Sequence, residues 1–193
     1  ISFFAGTIYG LIGHNGSGKT MLLKSISGLC RLTEGTILVN GKQIGKEIDI
    51  PDSLGAIIEV PGFLPNISGF SNLKYLARLR NKISDNEIYQ AIRTVGLDPD
   101  SRKHVGKYSL GMRQRLGIAQ AIMENPDILL LDEPMNGLDT QGVNDMKILI
   151  QKLRKEGKTI ILVSHHLDDI DELCNVVYKM ENGNLMKCRG EDI

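Results

Sequence analysis

Apolar residues along this chain follow two rhythms, and the rhythm changes twice. The opening run Thr7–Ile12 is short and apolar, as expected of a buried strand. It leads through GHNGSGKT into MLLKSISGL, an amphipathic stretch whose helix should end near Gly28. Asn40-Gly41 between the apolar runs of TILVNGKQI predicts a hairpin turn, and Leu54–Val60 predicts a further strand. From Pro61 to about Gly117 the spacing becomes helical. Phe70, Leu73, Leu76 and Leu79 recur every three residues, with Ser71 as the expected N-cap. Ser84 and Glu87 have the spacing of a capping box, Ile83 and Ile88 that of a hydrophobic staple, and Gly96 suits the position just past that helix.

After Asn125-Pro126 the strand–helix alternation returns. Ile128–Asp132 and Thr159–Ser164 read as buried parallel strands, separated by a helix from about Thr140 to Glu156 that stops at Gly157. The short acidic helix DDIDELC then precedes a last pair of strands joined at Glu181-Asn182-Gly183. Such alternation implies an α/β fold with a mostly parallel sheet, interrupted by an α-helical insertion. Ligands of such sheets bind at the carboxyl ends of the strands.

Composition narrows the picture. A chain of 193 residues suits one domain. Lys plus Arg (23) balances Asp plus Glu (23), which argues against broad electrostatic capture of nucleic acid. The longest aliphatic runs, Ile128–Leu131 and Ile160–Val163, are far short of the roughly 20 residues a membrane-spanning helix needs. Three cysteines, Cys30, Cys174 and Cys188, are too far apart for a zinc pattern and imply a reducing compartment. With no initiator Met and no signal-peptide pattern, the sequence is expected to begin inside a longer chain.

The chemistry concentrates in a few places. Gly13-His14-Asn15-Gly16-Ser17-Gly18-Lys19-Thr20 satisfies GxxxxGK[ST] between a strand and a helix. Glycines there let successive backbone N–H groups form an anion nest at a helix N-terminus. Lys19 would reach the terminal phosphates and the Thr20 hydroxyl would ligate Mg²⁺. His14 sits at a variable position and contributes backbone. Asp132, ending a buried strand, is the expected metal carboxylate, and Glu133 points elsewhere and could polarise an attacking water. Asp-Glu-Pro could also merely close a strand. Tyr108–Ile122 reads as a Ser-capped helix with Met112, Leu116, Ala119 and Ile122 or Met123 on one face.

The order of these segments resembles that of ATP-binding cassette (ABC) ATPases across nearly all of the chain. It runs from Walker A (Gly13–Thr20) through a Q-loop position at Glu59 to a signature at Ser109-Leu-Gly111-Met112. Walker B with Glu133, a D-loop ending at Asp139 and a switch histidine at His165 follow. The resemblance implies a P-loop NTPase (RecA-like) core over 1–60 and 118–193, with the signature in a helical subdomain over 61–117. It implies ATP and Mg²⁺ as cofactors, with Glu133, His165 and Lys19 catalytic and Thr20, Asp132 and Glu59 at the metal. It also implies a composite site, in which Ser109 and Gly111 of one subunit meet the phosphates held by another. Asp139 would touch that partner, or alternatively cap the helix at Thr140. His166 is the alternative to His165.

The signature departs from the family's Ser-Gly-Gly-Gln, and the Q-loop position carries Glu59 instead of Gln, or a solvated strand end. No upstream aromatic is identified for the base; Phe3, Phe4 and Tyr9 are expected in the core. Glu59-Val-Pro-Gly-Phe, Tyr-Ser-Leu-Gly-Met and Arg-Leu-Gly-Ile resemble bacitracin-resistance and lantibiotic-immunity exporters. The implied protein is the ATPase subunit of an exporter of antimicrobial peptides, pairing with a second, identical ATPase and with multi-span permease subunits. It would lie on the cytoplasmic face of the membrane, touching it only through the permease, and bind no nucleic acid. A non-transport ABC ATPase acting on DNA or ribosomes is the alternative, and a P-loop kinase or GTPase a more distant one.

Overall fold

The computed structural model describes residues 1–190, so residues 191–193 of the expected domain lie outside the described residues. The chain runs β1 (Ile8–Ile12), α1 (Lys19–Ile26), β2 (Leu38–Val39), β3 (Lys42–Gln43), β4 (Leu54–Ile57), α2 (Gly69–Arg80), α3 (Asp85–Thr94) and α4 (Leu110–Ile122). It continues through β5 (Ile128–Asp132), α5 (Thr140–Lys155), β6 (Thr159–Val163), α6 (Leu167–Leu173), β7 (Val176–Glu181) and β8 (Asn184–Arg189). Six strands form one sheet in the order β4-β5-β6-β1-β7-β8. All neighbours are parallel except the final pair β7 and β8. The α/β class and mostly parallel sheet expected from the alternation are therefore observed.

The middle strands are apolar throughout because both of their faces are covered. Ile8, Leu129, Leu131, Ile160 and Leu162 point to one core, shared with α4 and α5. Tyr9, Leu11, Leu130, Ile161 and Val163 point to the other, shared with Leu23 and Ile26 of α1. The period of two in each strand thus divides its side chains between two layers of helix. On the second face Phe3 meets Tyr9 edge-to-face at 4.8 Å, and Tyr9 stacks near Tyr178. Phe4 departs from expectation: it is 42% exposed, because it precedes the turn at Gly6 (φ 71°) and never joins β1.

Turn chemistry sets several boundaries. Asn40 and Gly41 both take positive φ and close the β2–β3 hairpin, as their pairing predicts. The N-cap of α2 is Ser68, not Ser71: the Ser68 hydroxyl accepts a bond from the Ser71 N–H, so Ser71 already lies in the first turn. The capping box at Ser84 and Glu87 forms as its spacing predicts. Gly96 follows α3 with φ 75°, and the Gly96 and Leu97 N–H groups return to Arg93 and Ile92. The strand expected over Leu54–Val60 stops at Ile57, because Glu59 adopts φ 62°, outside any strand conformation. Helix α4 is continuous across the expected subdomain boundary after Gly117.

Candidate functional site

Four neighbouring parallel strands end on the same edge of the sheet. There β1 delivers Gly13, β5 delivers Asp132 and Glu133, β6 delivers Ser164 and His165, and β4 delivers Glu59 two residues on. The edge is where an open parallel sheet places a ligand. A cleft of about 200 Å³ opens there, lined by Asn15, Gly16, Lys19, Thr20, Asp132, Glu133 and His165 among others. A second cleft, of about 310 Å³, adjoins it and adds Glu59, Arg113 and Gln114.

The loop Gly13–Thr20 bends through left-handed glycines, with φ of 153°, 79° and 112° at Gly13, Gly16 and Gly18. Gly13 is also required by space, since a Cβ there would lie 2.3 Å from the Met180 carbonyl oxygen. The β7–β8 turn supports the loop from behind, with the Gly183 N–H donating to the Ser17 carbonyl. Lys19 is nearly buried, and its Nζ donates to the carbonyls of Gly13 (2.7 Å) and His14 (3.0 Å). The His14 ring turns to the Asn15 carbonyl, so this residue offers backbone to the loop. Thr20 Oγ1 donates to Asp132 Oδ2 at 3.0 Å, joining α1 to the end of β5. A hydroxyl beside a carboxylate is a hard oxygen pair, the kind Mg²⁺ accepts.

Glu133 follows Asp132 with its backbone turned left-handed, at φ 52°, and both residues line the cleft. Its N–H donates to the Val163 carbonyl, and its own carbonyl accepts from the Asn136 N–H and from Gln114 Nε2. Oε1 of Glu133 lies 3.3 Å from His165 Nε2, close enough for an ion pair but not aligned as a hydrogen bond. It is thus a buried acceptor without a hydrogen-bond donor among the described residues, and it faces the cleft. Burial raises the Glu133 carboxyl above the ordinary carboxylate range, with a further push from Asp132, while His165 and His166 partly offset it. His165 lines both clefts and His166 neither; the His166 N–H is instead held by the Ser164 hydroxyl.

Other expected site residues lie outside the first cleft. Glu59 borders the second cleft, but its carboxylate accepts from Lys24 Nζ at 2.6 Å and is largely exposed. It can turn to a metal only by giving up that lysine. Ser109 caps α4, accepting from the Met112 N–H, and lines neither cleft. Gly111 lets α4 approach the loop before α5, since a Cβ there would lie 2.8 Å from the Gly137 carbonyl oxygen. Asp139 caps α5 through the Gly142 N–H. Gln114, just behind the expected signature, has no role assigned to it by the motif order. Its period with Gly117, Ile118 and Ala121 puts a polar side chain on a buried face, which is the signal that marks it. Cys174 is buried, and burial pushes its thiol up to about 12, so it stays protonated.

A phosphate-binding loop, a carboxylate pair and a histidine at the carboxyl edge of a parallel sheet define a P-loop nucleotide-binding protein. The sequence model of the family described as ABC transporter matches residues 1–136, and the chain belongs to that family. It is 50% identical over 184 residues to the ABC transporter ATP-binding protein YybJ of Bacillus subtilis, covering 95% of this chain and 84% of that protein. It is 43% identical to the bacitracin transport ATP-binding protein BcrA of Enterococcus faecalis (94% of this chain). Identity is 35% to the lantibiotic transport ATP-binding protein SrtF of Streptococcus pyogenes, over 94% of this chain and 78% of that one. The expected resemblance to bacitracin and lantibiotic transport proteins is borne out. The chain spans only 60% of the length of that BcrA. In fold it matches the dimeric, ADP- and Pi-bound ATP-binding cassette MJ0796, with a TM-score of 0.86 at 21% identity, over 99% of this chain and 89% of that one.

Proposed function

We propose that this chain is the ATP-binding and ATP-hydrolysing part of an ABC exporter, acting as a dimer closed around ATP. The observation that carries the proposal is the division of its parts. Lys19, Thr20, Asp132, Glu133 and His165 share one cleft, whereas Ser109 lies outside it and so is free to meet another subunit.

In this reading the loop N–H groups and Lys19 hold the β- and γ-phosphates. Thr20 and Asp132 would hold Mg²⁺, which when bound would supply charge neutralisation on the phosphoryl oxygens. Glu133 accepts a proton from water as its oxygen attacks the γ-phosphorus, and the bond to the bridging oxygen breaks to release ADP. The unpartnered Oε1 of Glu133 is the acceptor such a water requires. His165 orients the same water and contacts the γ-phosphate. Glu59 would be available to the same metal only on releasing Lys24. Ser109 and the N-terminus of α4 close over the partner's γ-phosphate, and Asp139 meets the partner's Walker A loop.

No helix among the described residues is long and apolar enough to cross a membrane. Multi-span permease subunits therefore supply the path in this proposal, and the ATPase sits against them on the cytoplasmic face. The bacitracin and lantibiotic relatives support an antimicrobial peptide as cargo. Glu133→Gln should lower ATP turnover by about 10²–10⁴-fold. Lys19→Ala should weaken ATP binding itself, measured by fluorescent-nucleotide titration. Wild-type turnover in the first variant, or undiminished affinity in the second, removes that residue from its role.

A further inference from the structure

The left-handed backbone at Glu133 is uncommon for a residue with a side chain, and such conformations persist only where their surroundings impose them. Here the surroundings do. The Glu133 peptide is fastened on one side by the Val163 carbonyl at 3.0 Å. Its carbonyl accepts from the Asn136 N–H at 3.1 Å and from Gln114 Nε2 at 3.0 Å. The first of these bonds comes from β6 and the second from the turn that Glu133 itself begins. Only Gln114 brings a side chain, and it does so from a separate helix, five positions along from the Ser109 cap of α4. Gln114 is 7% exposed, so the bond is made away from water, where losing one partner strands the other.

Successive side chains of an extended strand point to opposite faces, and the left-handed turn is what lets Glu133 line the same cleft as Asp132. Without it Glu133 would continue the strand direction of Asp132 and leave the cleft wall it shares with His165. We propose that Gln114 is a positioning residue for hydrolysis, whose amide holds the Glu133 carbonyl and thereby aims the Glu133 carboxylate into the cleft. Gln114 touches neither nucleotide nor water in this role. The proposal rests on Glu133 acting as the base.

The test compares Gln114→Met, which keeps the length but cannot donate, with Gln114→His, whose ring N–H can reach the same carbonyl. Turnover and fluorescent-nucleotide affinity are measured for each, alone and in the Glu133→Gln background. Gln114→Met should lower kcat by about 10- to 100-fold, the scale of a misplacement near 1 Å, with ATP affinity unchanged within about twofold. Gln114→His should recover a substantial part of that loss. In the Glu133→Gln background Gln114→Met should add nothing, since the group it aims is already absent. Should Gln114→Met fail to fold, Gln114→Asn, one methylene too short to reach, carries the same comparison. Unchanged kcat, a parallel loss of ATP affinity, or full additivity with Glu133→Gln overturns the proposal. If Glu133→Gln alone turned over at the wild-type rate, it is the assignment of the base that fails, a result distinct from all of these.

Discussion

At the residue scale the molecule carries its strain where the chemistry is expected. Glu133 is a left-handed, half-buried carboxylate set beside another carboxylate, and its burial and that neighbour both disfavour its charged form. Its folded-state pKa stands above that of the unfolded chain, so the folded state holds the Glu133 proton more tightly. That contribution favours folding below the unfolded value and is lost as pH rises through the folded one. At pH 7 Glu133 therefore opposes folding relative to a neutral isostere. Glu133→Gln should melt at a higher temperature than the native chain at pH 7, with the difference shrinking as pH falls through the raised folded value and gone below the ordinary Glu value of about 4.3. An equal or lower Tm at pH 7 contradicts this. Lys19 is the opposite case: a buried cation satisfied by the Gly13 and His14 carbonyls, preorganised where phosphates would sit.

At the element scale, caps and turns decide where each segment starts and what it holds. Ser68 and Ser71 lie three residues apart at the start of the same helix, and either satisfies the cap pattern in sequence. The structure chooses Ser68, whose hydroxyl meets the Ser71 N–H. Ser68→Ala should cost about 0.5–2 kcal/mol in denaturant unfolding, whereas Ser71→Ala should stay within about 0.5 kcal/mol. The reverse order would return the cap to Ser71. Elements whose signal is local were legible: the Asn40-Gly41 hairpin, the Ser84–Glu87 box and the apolar strands β1, β5 and β6 follow from adjacent residues. Features set by distant partners were not. Nothing near Glu59 or Glu133 announces positive φ, and two of the three bonds that hold the Glu133 peptide come from the distant Val163 and Gln114. Gln114 shows as polar on an amphipathic helix, and only the packed structure reveals what its amide meets.

At the scale of the whole molecule, one sheet edge gathers residues 152 positions apart, from Gly13 to His165. The sequence placed Lys19, Thr20, Asp132, Glu133 and His165 by motif order, and the parallel topology brings them to one cleft. The same topology leaves the Ser109 cap facing outward, so one chain lines only part of the site its motifs describe. Completion by a second copy is the claim on which the proposed function depends. The most direct measurement is the sedimentation mass of the Glu133→Gln chain with and without Mg²⁺-ATP. A shift from monomer to dimer on adding ATP, abolished by Ser109→Glu, is the predicted result. A chain that binds ATP yet remains monomeric across its accessible concentrations would contradict the account.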